Sequence, residues 1–157
     1  MKIFNTLWAM IILELMLSAP AMAQNEEITD SDLHKYALLS EVIDLMKKDV
    51  SIELNGMIKN QEGMTGTRYK ELAATKGDEA KLAEIEAKEF EIQFVGLVDD
   101  LKSKRTVAIK TVNQELATKM VGNKGKTYKA IKAALKEDAD LKARYDQVLA
   151  SIRMENQ

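Results

Sequence analysis

The sequence predicts an all-α protein, a helical bundle of about five or six helices, on three observations. Of its 157 residues only one is proline and seven are glycine, while 46% are hydrophobic and 31% charged, a composition typical of folded, helix-rich chains. Apolar residues recur at intervals of three and four along most of the chain. No stretch alternates convincingly between apolar and polar residues, which is the pattern of a strand.

The N-terminal segment has the features of a cleaved signal peptide. Lys2 forms a short positive region, Ile3–Leu17 is apolar, and the segment closes on the small-residue motif Ala21-Met22-Ala23. We expect cleavage between Ala23 and Gln24, so that residues 1–23 are removed. The sequence therefore predicts an exported protein, either periplasmic or secreted.

A retained membrane anchor is the alternative interpretation of this segment. Glu14 divides the apolar run and Pro20 ends it, so the run falls short of the roughly 20 apolar residues that span a bilayer. We expect no stable membrane span after processing, and a mature chain that is a single all-helical domain over residues 24–157.

The first helix of the mature chain is predicted to begin at the polar cap Thr29-Asp30-Ser31-Asp32 and to end near Asn60. Gly63 and Gly66 follow as helix breakers. The apolar stripe of this helix is broad, which favours burial on two sides in a bundle over a two-stranded coiled coil. Its members are Tyr36, Leu38, Leu39, Val42, Ile43, Leu45, Met46, Val50, Ile52 and Met57.

The remaining helices follow from the same spacing rules. A short helix is predicted over about Thr67–Lys76, and two more over about Thr127–Lys136 and Asp138–Arg153. Between them, Glu79–Val121 contains one glycine and no proline, which is compatible with one long helix. A break at Lys104-Arg105, where the apolar spacing is interrupted, is the alternative, and the sequence alone does not decide between the two.

The chain resembles itself at an offset of 59 residues, which divides it into halves of about 30–90 and 91–157. Each half has a long helix, a pair of glycines, a short helix led by tyrosine, an acidic cap and another helix. Chance identity in helical sequence of low diversity is the alternative. We interpret Tyr69 and Tyr128 as structural pins whose rings pack on the long helices, with Leu82 and Leu141 as the matching apolar positions.

Three segments also resemble a known family. They are Ile28-Thr-Asp-Ser-Asp-Leu-His-Lys-Tyr-Ala37, Gly125-Lys-Thr-Tyr-Lys-Ala-Ile131 and Asp138-Ala-Asp-Leu-Lys-Ala-Arg144. Together they are similar to an exported bacterial all-helical family, number 4168 among the domains of unknown function. Ala139 stands where that family has proline, and the middle of the chain does not match. The resemblance implies an all-α fold and an envelope location, and it implies no catalytic residues.

The sequence contains several incomplete motifs of known chemistry. Without cysteine there is no thiolate metal site or cysteine nucleophile, and His34 is the only histidine. The segment Gly122-Asn-Lys-Gly-Lys-Thr127 is two residues shorter than a P-loop and follows a predicted helix, so we interpret it as a turn. Asp99-Asp100 and the pair Asp138 and Asp140 lack the surrounding oxygen-rich loop of a calcium site. We expect no enzyme activity, no cofactor and no metal.

Charge is distributed unevenly along the chain. The segment from Asp78 to Asp100 has a net charge of −6, from eight acidic and two basic residues, whereas Lys102 to Lys136 has +9, from ten basic residues and one acid. The basic residues predict a surface for an anionic envelope component or an acidic protein. They include Lys102, Lys104, Arg105, Lys110, Lys119, Lys124, Lys126, Lys129 and Lys132. Mutual neutralisation, within the chain or across a homo-oligomer, is the alternative, and nucleic acid is a poor candidate for an exported protein.

Two functional hypotheses follow. The first is an exported, non-enzymatic helical protein of the bacterial envelope that acts through protein or surface interactions. The second is a periplasmic lipid or ligand carrier, or a holdase-type chaperone, whose methionine-rich helix faces open to accept a client. The methionines concerned are Met46, Met57, Met64 and Met120.

Overall fold

The computed structural model describes residues 27–155, and within this range the protein is an all-α bundle without strands, as predicted. Its helices are α1 (Asp30–Asn60), α2 (Gly66–Thr75), α3 (Glu79–Glu84), α4 (Glu89–Glu115), α5 (Lys126–Ala134) and α6 (Ala139–Glu155). A π-helical turn, Leu116–Val121, and a 3-10 turn, Asn123–Gly125, join α4 to α5. The predicted signal peptide and its cleavage point lie outside the described residues.

The first helix begins and ends where the sequence predicts. Thr29 is its N-cap, and the Thr29 hydroxyl accepts a hydrogen bond from the backbone N–H of Asp32 at 3.2 Å. The Asp32 carboxylate accepts one in return from the backbone N–H of Thr29 at 3.3 Å, which completes a capping box. The helix continues to Asn60, and Gly63, at φ +76°, lies in the turn that follows.

α1 is the central helix, since it packs against α4 and α6. The Arg105 guanidinium of α4 donates to Glu53 of α1 at 2.9 Å, whereas Val121, after α4, packs beside Tyr36 near the start of α1. α4 is therefore antiparallel to α1. α6 runs parallel to α1, because Arg144 pairs with Asp30 and Arg153 donates to Glu41 at 2.6 Å.

The core lies where the first part of α1 meets the end of α4, α5 and α6. Leu33 and Ile131 are fully buried in it. Tyr36 lies between two other tyrosines, with ring centroids 5.2 Å from Tyr128 and 5.8 Å from Tyr145. Burial and the two neighbouring phenols raise the pKa of Tyr36 to about 12. These rings pack α1 against α5 and α6.

The segment Glu79–Val121 is not one long helix, and it does not break at Lys104-Arg105, so both predictions were wrong. The break lies between α3 and α4, where Glu86 takes a left-handed conformation at φ +51°. A non-glycine residue rarely adopts this conformation unless its surroundings stabilise it. Here the Arg68 guanidinium of α2 donates to the carbonyl oxygens of Ile85 at 3.0 Å and Glu86 at 3.3 Å.

Candidate anion-binding surface

The outer side of α5 carries a row of lysines that we call the α5 ridge, formed by Lys126, Lys129 and Lys132. They are spaced three residues apart, so their side chains project from neighbouring positions on one side of the helix. All three are exposed, whereas Ile131, which points toward the bundle, is fully buried. α5 is therefore amphipathic, with one side packed in the core and the other side basic and exposed.

The lysines of the α5 ridge are not ion-paired within the described chain. No salt bridge within residues 27–155 involves Lys126, Lys129 or Lys132. Lys124, exposed in the preceding 3-10 turn at φ +52°, and Lys136, exposed beyond the end of α5, extend the same basic region. A cluster of exposed cations without ion-pair partners raises the local concentration of anions.

A groove of about 1300 Å³ lies beside the ridge, between the start of α1, α5 and the start of α6. Its α5 side is lined by small apolar side chains, Ala130, Ala133 and Ala134. Lys126 and Arg144 bring cationic groups to the groove, and Arg144 is ion-paired with Asp30. The groove thus combines an apolar lining with a free ammonium group from the α5 ridge. Acidic groups line it as well, namely Glu27, Asp32, Glu137 and Asp138.

The other basic residues of the predicted surface do not join the α5 ridge. Lys102, Lys104 and Lys110 are exposed on α4, but at 3.6 residues per turn Lys102 and Lys104 project about 160° apart. Arg105 is engaged by Glu53 of α1, and Lys119 is ion-paired with Glu115 one turn earlier. The basic stretch of the sequence is therefore several separate surfaces, of which only α5 presents a row of lysines.

Neutralisation within the chain does not account for the basic stretch. In the part of the chain that the structure describes, no salt bridge joins an acid of 78–100 to a base of 102–136. Two of the acids are used locally instead, since Glu91 pairs with Arg68 and Asp78 lies 3.8 Å from Lys81.

The most elaborate polar cluster surrounds Arg68, and the sequence analysis missed it. Arg68 donates two hydrogen bonds to Glu91, from Nε at 2.8 Å and Nη2 at 2.7 Å, and one to Glu71 at 2.8 Å. Glu91, only 4% exposed, also accepts from the backbone N–H of Lys88 at 2.9 Å. The cluster ties α2 to the break before α4, which is a structural role. Its sequence signal is Lys88-x-x-Glu91, a capping position three residues before an acid.

The cluster shifts the pKa values of its members. The Arg68 hydrogen bonds, followed by the Lys88 backbone N–H, lower the pKa of Glu91 to about 2. The hydrogen bonds that Arg68 donates to Glu91 and Glu71 in turn raise the pKa of Arg68. Both groups are therefore held in their charged forms, which suits a permanent ion pair and not proton transfer.

The four predicted structural pins occupy different environments. Tyr128 packs its ring on Tyr36, and Leu141 is 5% exposed in the same core. Tyr69 is half-buried, and burial followed by the charge of Asp99 raises the pKa of its phenol. Leu82 is half-buried on α3, a helix with no fully buried residue. Tyr128 is half-buried like Tyr69, so of the second pair only Leu141 lies deeper than its counterpart in the first half.

The incomplete motifs of the sequence lie in ordinary structural positions. The segment Gly122–Thr127 forms the 3-10 turn and the start of α5 and follows a π-helical turn, whereas a P-loop follows a strand. His34 is exposed on α1. Over residues 27–155 no group of three or more metal-binding side chains comes together. No helix of that range is long and apolar enough to cross a membrane.

Comparison with known proteins adds no relative to this picture. Neither a protein-family model, nor a curated protein, nor a solved structure matches this chain. The resemblance to family 4168 therefore stays a prediction.

Proposed function

We propose that this chain is an exported, non-enzymatic helical protein of the bacterial envelope that binds an anionic lipid surface through the α5 ridge. The observation that carries the proposal is the row Lys126, Lys129 and Lys132, exposed on one side of α5 without an acidic partner in residues 27–155. The signal-peptide pattern before Gln24 supports the location.

The physical basis is electrostatic attraction at a membrane surface. A lysine close to an anionic bilayer contributes about 1 kcal/mol to binding, and salt screens this contribution. Three lysines on one helix side together supply about 3 kcal/mol, which corresponds to roughly a hundredfold in partitioning. The alanine-lined groove beside them offers space for the apolar part of a headgroup region. Binding of this kind is reversible and peripheral.

The test is co-sedimentation of the purified protein with vesicles. Vesicles of phosphatidylcholine with one-third phosphatidylglycerol should bind the protein, and vesicles of phosphatidylcholine alone should not. We expect the triple variant Lys126→Glu, Lys129→Glu, Lys132→Glu to lose this binding, because each reversal replaces an attraction by a repulsion. Added salt should weaken the binding of the unmodified protein.

A matched control separates this surface from net charge. Lys48→Glu, Lys59→Glu and Lys70→Glu reverse three exposed lysines on α1 and α2 that make no salt bridge in the described chain. Both triple variants lower the net charge equally. Circular dichroism of each variant should first verify that it is still helical. Equal loss of binding in the two would reject the α5 ridge as the site. No binding by the unmodified protein would reject a lipid surface and favour an acidic protein partner.

The carrier or holdase hypothesis has less support from the positions of its methionines. Met64 is 6% exposed, and Met46 and Met120 pack against the core. Met46, Met57 and Met120 are half-buried, so an apolar client would contact them fully only after the bundle opened. This hypothesis stays a prediction, tested by binding of a hydrophobic dye to the folded protein.

A further inference from the structure

The outer side of α4 carries a second regular pattern, which we call the α4 stripe. Its residues follow alternating intervals of four and three, the spacing that keeps side chains on one side of a helix facing a partner helix. All six are exposed, and the two aliphatic members are markedly so, with Leu97 at 58% and Val107 at 60%. The α4 stripe consists of Gln93, Leu97, Asp100, Lys104, Val107 and Thr111.

No helix within residues 27–155 covers the α4 stripe, whose aliphatic members stay exposed. α4 contacts α1 through its opposite side, where Val98 is 1% exposed and Arg105 pairs with Glu53. Asp100 and Lys104 are four residues apart on the stripe, yet no salt bridge of the described residues includes either. Gly96, on the flank of the stripe, leaves open space where a side chain would stand. Another helix can therefore approach closely at this point.

Residues of the α4 stripe that lie equally far before and after position 102 are suited to contact each other in an antiparallel pair. Leu97 and Val107 are each five residues from this point, and Asp100 and Lys104 are each two residues from it. A second α4 that crosses here in the antiparallel direction places Leu97 against Val107 of the second copy. It also places Asp100 against Lys104 of the second copy, and both contacts occur twice by symmetry.

The charges select this direction over its alternative. A parallel pair in register would bring Asp100 against Asp100 of the second copy and Lys104 against Lys104, which is repulsive. The wider charge distribution agrees, since the change from net −6 over 78–100 to net +9 over 102–136 falls at the same point. At each end of the pair Glu89 lies opposite Glu115 of the second copy, where Lys119, ion-paired with Glu115, offsets the like charge.

We propose that a second copy of this chain docks on the α4 stripe as an antiparallel, two-fold symmetric helix pair. A second copy fits the α4 stripe because one register pairs opposite charges and also places apolar residues against apolar residues. From Gln93 to Thr111 the contact is about 27 Å long at 1.5 Å per residue. A contact through a single helix is small, so dimerisation should depend on concentration. The proposal is independent of lipid binding by the α5 ridge.

A charge-reversal series tests the dimer by sedimentation equilibrium of the purified protein. Asp100→Lys and Lys104→Asp should each weaken self-association at least about tenfold, because each places like charges in contact. Combining both substitutions in one chain should restore it, and so should mixing the two single variants. Asp99→Lys, which makes the same charge change off the stripe, is the matched control. A protein that stays monomeric at all concentrations, or singles that associate as the unmodified protein does, would overturn the proposal.

Disulfide cross-linking tests the direction of the helix pair. The chain contains no cysteine, so any cross-link comes from the introduced one. A cysteine introduced as Ser103→Cys lies beside the two-fold axis and should form a disulfide between two copies under mild oxidation. Thr111→Cys should not, because its counterpart lies about 27 Å away along the helix axis at 1.5 Å per residue. The reverse result, cross-linking through position 111 and not 103, would rule out the antiparallel register.

Discussion

The two halves of the chain follow the same order of elements but hold their short helices by different interactions. In the first half, Arg68 binds α2 to the start of α4 through Glu91 and to the backbone at Ile85 and Glu86. In the second half, α5 is held by Tyr128, whose ring packs 5.2 Å from that of Tyr36. The residue before the matching tyrosine differs between the halves: Arg68 precedes Tyr69, and Thr127 precedes Tyr128. One local pattern is thus stabilised by an ion-pair cluster in one place and by aromatic packing in the other.

The largest difference should appear when the two tyrosines are truncated. We expect Tyr128→Ala to lower the free energy of unfolding by about 2–3 kcal/mol, because it removes a half-buried ring that packs on the buried ring of Tyr36. Tyr69→Ala should cost less, about 1–2 kcal/mol, because that ring is equally half-buried but packs on no aromatic ring in the described chain. Urea unfolding followed by circular dichroism measures both. Equal losses would show that the two halves are held alike.

The next effect concerns the ion-pair cluster of the first half. Glu91→Gln should lower the free energy of unfolding by about 2–3 kcal/mol, because it leaves Arg68 without its buried carboxylate partner. Thr127→Met, at the position that corresponds to Arg68 in the second half, provides the comparison and should change stability little. A loss below that of the control would contradict a stabilising role for the cluster.

Acid should destabilise the protein through the same carboxylate. The folded pKa of Glu91, about 2, lies below its ordinary value of 4.5, so the charged form is favoured by folding. This contribution is complete above pH 4.5 and is lost as the pH falls toward 2. Stability measured by urea unfolding should decline over this window, and less steeply in Glu91→Gln. Parallel pH profiles for the two proteins would be incompatible with the proposed ion pair.

The smallest effect lies at the break between α3 and α4. Glu86 has φ +51°, a conformation that glycine adopts without steric cost, and Arg68 contacts only its backbone oxygen. Glu86→Gly should therefore raise the free energy of unfolding by about 0.5–1 kcal/mol. Glu84→Gly, within α3, should lower it by about 1 kcal/mol and serves as the control. Destabilisation by both substitutions would indicate that the Glu86 side chain has a role of its own.

The sequence predicted the fold well where local signals set the structure. α1 begins within the predicted polar cap, where Thr29 and Asp32 form a capping box, and it ends at Asn60 as expected. The break after α3 was not predictable from glycine or proline, because it depends on Arg68, a residue 17 positions before Ile85. A contact between distant residues leaves little trace in local spacing.

The candidate surface was predicted in part. Lys126, Lys129 and Lys132 were identified from charge alone, and their three-residue spacing is visible in the sequence. Counting charges does not show the direction in which each side chain projects. Lys102 and Lys104 belong to the same basic stretch but project to different sides of α4. The α4 stripe required the same information, because exposure of Leu97 and Val107 distinguishes a free apolar face from a buried one.

The central claim is an exported protein that binds the envelope surface through α5, and the most direct test is fractionation of cells that express it. Intact-mass measurement should show a chain that begins at Gln24, recovered with the membrane fraction and released by salt. The Lys126→Glu, Lys129→Glu, Lys132→Glu variant should be processed identically but remain in the soluble exported fraction. A chain of 157 residues in the cytoplasm, or a variant that stays with the membrane, would contradict the account.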